Sequence, residues 1–143
     1  MVIKLVFVTC LLTITSAREI AFTDCGNGEM KSMDITPCES DPCILHKGSN
    51  VKVSMKFIPN KNSNTAMLTI GGRANTIAIT PPPITMDLCN QLKCPLTAGK
   101  EYTIEGTLPV NQLLPTSGVE GFAVLRGDDG QLACVTGSAV ITN

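Results

Sequence analysis

The sequence predicts an all-β domain folded as a two-sheet sandwich of seven or eight short strands. Three observations carry that expectation. Apolar and polar residues alternate with a period of two over several segments, as in half-buried strands. No segment carries a sustained apolar stripe at i, i+3, i+4 and i+7, as an amphipathic helix would. Clusters of Gly, Pro, Asn and Asp punctuate the chain between the alternating runs. At 143 residues the chain is long enough for one such domain and short for two.

Residues 1–17, MVIKLVFVTCLLTITSA, combine Lys4, an apolar core from Leu5 to Ile14 and the small residues Thr15-Ser16-Ala17. This is the pattern of a cleaved secretory signal, so the expected domain is 18–143. Residues 19–23, 29–35 and 43–47 are short strand candidates. In 51–59, Val51, Val53, Met55 and Phe57 share one side against Lys52, Ser54 and Lys56. In 65–70, Ala66, Leu68 and Ile70 do the same. Gly71-Gly72 and Pro81-Pro82-Pro83 mark a loop-rich middle. In 101–110, Tyr102, Ile104, Leu108 and Val110 oppose Thr103, Glu105 and Thr107. Residues 119–126 and 131–142 flank Gly127-Asp128-Asp129-Gly130, a hairpin-turn signal. No repeat and no low-complexity tail is visible.

Composition narrows the function. The chain holds 11 basic and 12 acidic residues, a formal net charge of −1, without the basic excess of a nucleic-acid binder. His46 is the single histidine and no G-x-S-x-G elbow occurs, so neither a metal site nor an enzyme is expected, and no cofactor. Asp128-Asp129-Gly130 lacks the later ligands of a calcium loop. Lys47, Lys52, Lys56 and Lys61 read as a solvated face, with contact to anionic lipid heads as the minor reading. No N-x-S/T sequon is present, which favours simple secretion over endolysosomal delivery.

Without Cys10 of the leader, six cysteines remain, and six allow 15 connectivities. Cys38 with Cys43 and Cys89 with Cys94 are spaced for local loops, which leaves Cys25 with Cys134. A zinc site is the alternative, although a secreted domain favours disulfides.

Several segments together resemble one family. DCG at 24–26, Pro37-Cys38 with Cys43, Cys89 with Cys94-Pro95, LPV at 108–110 and GDDG at 127–130 before Cys134 resemble the secreted ML lipid-recognition domain, whose members include the Niemann–Pick type C secreted cholesterol-binding protein and the group-two mite allergens. The resemblance covers the mature chain. It implies an immunoglobulin-like β-sandwich, the same three bridges and a lipid cavity between the sheets. The chain has no Trp to clamp two sheets at their centre, and its few aromatics leave the inward positions mostly aliphatic.

The resemblance implies a pocket mouth at Leu108, Val110, Leu114, Ile79 and Pro81. Two mouth positions that are aromatic in the sterol-binding relative are Leu114 and Ile79 or Pro81 here, which implies a more permissive opening. Deeper lining candidates are Val53, Met55, Phe57, Leu68, Ile104, Phe122, Val124 and Val135, with Met55, Met67 and Met86 as adaptable surface. On this reading Val110→Trp blocks uptake and leaves the thermal midpoint nearly unchanged. The expected function is a secreted, monomeric carrier of a sterol, fatty acid or small hydrophobic semiochemical, with transient membrane or receptor contact. Its alternatives are an innate-immune module presenting a lipid to a receptor, and a closed sandwich acting only through its surface.

Overall fold

The computed structural model describes residues 18–74 and 82–143. Residues 1–17, expected to be a leader, and Ile79 and Pro81, expected at the mouth, lie outside the described residues. Among the described residues ten strands follow in order: β1 (Arg18–Glu19), β2 (Thr23–Asp24), β3 (Met30–Thr36), β4 (Cys43–His46), β5 (Asn50–Phe57), β6 (Met67–Ala74), β7 (Ile84–Asp87), β8 (Tyr102–Pro109), β9 (Gly118–Gly127) and β10 (Gly130–Thr142). One sheet runs β1-β3-β5-β8; the other runs β2-β10-β9-β6-β7, with β4 added parallel to β10. Among the described residues there is no helix.

The register follows the alternation. Met55 sits between Met33 and Ile104, and Val53 between Ile35 and Gly106, so the apolar sides of β3, β5 and β8 share one face. Val119, Gly121, Ala123 and Leu125 form the matching face of β9, beside Ile70 and Leu68 of β6 and Val135 and Ala133 of β10. The Gly127–Gly130 turn joins β9 to β10, with Gly130 at φ +99°, a left-handed conformation that glycine adopts without strain. Asp128 accepts hydrogen bonds from Asn64 N at 2.6 Å and Thr65 Oγ1 at 2.7 Å, which tie this turn to the chain before β6.

Three segments depart from the sequence reading. Residues 19–23 split into β1 and β2, which belong to different sheets, so the chain crosses the sandwich edge at Ile20–Phe22. Gly71-Gly72 do not break the chain but lie inside β6, held by pairing to Phe122 and Gly121. Residues Ile84–Asp87 form β7, an exposed edge strand with too little apolar alternation to be read from sequence.

The three disulfides are Cys25–Cys134, Cys38–Cys43 and Cys89–Cys94. The first spans 109 residues, and a loop of that size corresponds to about 4–5 kcal/mol of stabilisation in the chain-entropy model. The DCG segment is a structural tie. Asp24 accepts from Gly26 N at 2.7 Å and Met30 N at 3.1 Å, which bends the chain from β2 into β3 beside the bridge.

The interior is uneven. At the end holding the Gly127–Gly130 turn, Phe57, Leu96, Leu125 and Leu132 are fully enclosed. Phe57 stacks on Tyr102 with ring centroids 5.7 Å apart, and the Tyr102 hydroxyl accepts from Thr97 N at 2.8 Å. At the opposite end Val51, Val110 and Ile141 form a separate small cluster. Space remains between the two.

Candidate binding cavity

A cavity of about 190 Å³ lies between the sheets, between the closed end and the Val51 cluster. Ile20, Met33, Ile35, Val51, Val53, Met55 and Leu108 wall it on one side. Ile70, Val119, Gly121, Ala123, Val135, Gly137 and Ala139 wall it on the other, with Leu45 from β4. Among the described residues no wall member is titratable, and the single polar side chain, Ser138, alternates onto the far face of β10. Val53, Ile70, Leu108, Val119 and Ala123 face inward yet are only half-buried, because each packs against a core cluster on one side and borders the cavity on the other. The described wall presents no group that would donate a proton or attack a bond. Its chemistry is to exclude water from an apolar surface.

Part of the sequence-predicted lining meets here. Val53, Met55, Val135 and Leu108 border the cavity with inward side chains, and Phe122 borders it from a strand position whose side chain alternates outward. Phe57, Leu68 and Ile104 instead enclose a void of only about 10 Å³ in the closed end, so they are packed core beyond the cavity floor. Val124 is corrected: alternation turns it, with Cys134 opposite, onto the outer face of the sheet. Phe122 is also on that face, where its ring covers Gly71 so closely that a Cβ there would collide with it. Met67 is exposed and Met86 half-buried against the core, so of the three methionines only Met55 borders the cavity.

Two of the expected mouth positions, Val110 and Leu114, stand away from the cavity. Val110 is 4 % exposed and packs with Val51 and Ile141. Its N–H donates to Ser49 O at 2.8 Å and its carbonyl accepts from Gly48 N at 2.7 Å. A tryptophan there must displace enclosed side chains, so the expected neutral midpoint of Val110→Trp is corrected to a fall. Leu114 packs against the same cluster. Neither Val110 nor Leu114 is part of the cavity wall.

One side of the sandwich is thinly covered. Gly106 occupies an inward position on β8, the edge of its sheet, is exposed, and has nothing within 4 Å of where a Cβ would stand. Just beside it Gln91 grips the strand at two points. Its Nε2 donates to Glu105 O at 2.6 Å, and Glu105 N donates to its Oε1 at 3.0 Å. The Cys89–Cys94 loop thus fastens the edge strand up to Glu105. Sequence reading named none of Ile20, Met33, Ile35, Ile70, Gly121 and Gly137 as wall. The alternation signalled Met33, Ile35 and Ile70, whereas the glycines become wall only through the register.

The comparisons agree with this architecture. Residues 19–141 match the family model described as ML domain. The mite group 2 allergen Eur m 2 of Euroglyphus maynei is 35% identical over 133 residues, covering 92% of each chain. The NPC intracellular cholesterol transporter 2 of Canis lupus familiaris is 30% identical over 115 residues, covering 78% of this chain and 77% of its own. Among solved structures, a Niemann-Pick type C2 protein from Japanese carpenter ant superposes with a TM-score of 0.68 at 22% identity, covering 86% of this chain and all of its own.

Proposed function

The chain belongs to the ML-domain family, and from that premise we propose that it is a carrier which takes a sterol, fatty acid or other small hydrophobic molecule between its sheets and hands it on by transfer. The observation that carries the reading is the cavity of about 190 Å³, whose described wall residues are almost all apolar and include no titratable side chain. A relative named as a cholesterol transporter supports a hydrophobic cargo. Each cargo methylene withdrawn from water there contributes about 0.8 kcal/mol, so affinity accumulates with apolar length and needs no polar recognition. Exchange requires the thinly covered edge at Gly106 to part. The three disulfides and the character of residues 1–17 support secretion into an oxidising compartment.

Native mass spectrometry of the purified protein, before and after incubation with a mixture of fatty acids and sterols, tests the reading. A single bound molecule per chain is expected. A chain that carries no lipid and takes up none acts through its surface instead.

A further inference from the structure

We infer that a row of three glycines, Gly72, Gly121 and Gly137, is the cargo-selecting element of the interior, kept free of side chains so that a ligand occupies the place they would fill. The inference rests on the carrier reading and adds the residues that set which cargo fits. Gly121 pairs with Gly137 on one side and Gly72 on the other, so the three lie abreast across β10, β9 and β6. Each holds an inward position, in step with Val135, Ala123 and Ile70. Gly121 and Gly137 are cavity wall. At a strand spacing of about 4.8 Å the row makes a trough roughly 10 Å long, crossing the strands, with backbone for its floor.

Glycine weakens a strand interior and leaves nothing to pack, so each of these positions needs a reason. Most of the chain's other glycines have one, Gly106 on the thinly covered edge being an exception. Gly28, Gly48, Gly99 and Gly130 have positive φ. Gly71 lies under the Phe122 ring, and a Cβ on Gly127 would collide with Ser63. The row has neither reason. None of its members has positive φ. A Cβ on Gly121 would meet its nearest atoms, the carbonyl oxygens of Gly137 and Gly71, at 3.8 Å. On Gly137 it would meet Met33 Cε at 3.8 Å and Ile20 Cδ1 at 3.9 Å, and on Gly72 the Glu120 carbonyl oxygen at 3.7 Å. These are ordinary contacts, so the fold has room for side chains it does not carry. Three such vacancies abreast, facing the cavity side of the sheet, keep depth for cargo at the expense of strand stability.

The test is a series at Gly121, to Ala, Val and Leu, with two readouts on delipidated protein: the thermal midpoint without ligand, and titration with cis-parinaric acid, a fluorescent fatty acid. Affinity should fall stepwise with side-chain size, by about tenfold or more at Gly121→Val, because its carbons displace an equivalent length of ligand. The ligand-free midpoint should hold or rise, since a β-branched residue suits the strand and fills empty space. If wild type binds the probe and Gly121→Val binds it equally well, the row has no part in selection. If affinity and midpoint collapse together, the glycines serve folding alone. A wild type that binds no probe refutes the carrier reading and the row's role with it.

Discussion

Val53→Ala and Phe57→Ala, made four residues apart on the same face of β5, should have opposite consequences. Phe57 is fully enclosed and stacked on Tyr102. Truncating a ring so placed leaves a void that the closed end cannot refill, at about 3–5 kcal/mol. Val53 borders space that already exists. Its two methyl groups lack partners on the cavity side, so the ligand-free protein should lose about 1 kcal/mol or less. The cargo loses those methyls as contacts, worth up to about 1.5 kcal/mol, or roughly tenfold in affinity. Urea midpoints of delipidated protein read the first effect, and titration with cis-parinaric acid reads the second. A Val53→Ala protein destabilised as much as Phe57→Ala, with affinity unchanged, would show that the interior closes on itself and the reasoning is wrong.

Other expectations follow from the same geometry. Gln91→Ala removes both side-chain bonds that fasten Glu105, so ligand release measured by stopped-flow dilution should accelerate several-fold, with little change in midpoint because the bonds are exposed. The double variant Cys25→Ser with Cys134→Ser should lose about 4 kcal/mol in urea titration, whereas opening the five-residue Cys38–Cys43 separation should cost less. Val110→Trp should lower the thermal midpoint because the site is enclosed. The Asp128 carboxyl is held below the usual value of 3.8, chiefly by the hydrogen bond from the Asn64 backbone and then by the Thr65 hydroxyl. Its stabilising effect is therefore present above pH 3.8 and lost as pH falls through the lowered value. Asp128→Asn should lower the midpoint at neutral pH, and the difference from wild type should close in strong acid.

The strands that alternate cleanly were legible from sequence because one wet and one dry face leave a period-two record. Val51 to Phe57 and Tyr102 to Leu108 pair in the register that record implies. The bridges were legible because two cysteine pairs are only five residues apart. The cavity was legible as an expectation but not in its boundary. Phe57, Leu68 and Ile104 share the alternation of Val53 and Met55, and only the closing of one end separates packed core from wall. Val124 was misplaced because Phe122 and Val124 are themselves apolar, although Glu120 and Arg126, in step with them, mark that face as the outer one. The glycine row was hidden for a different reason. Gly72, Gly121 and Gly137 are spread over 66 positions of sequence and become neighbours only through the pairing of three strands.

Crystallography of the protein loaded with a brominated fatty acid tests the central claim most directly. The account expects one bromine site between the sheets, against Gly121 and within contact of Val53 or Met33. Bromine confined to the outer surface, or an interior filled by its own side chains, would contradict it.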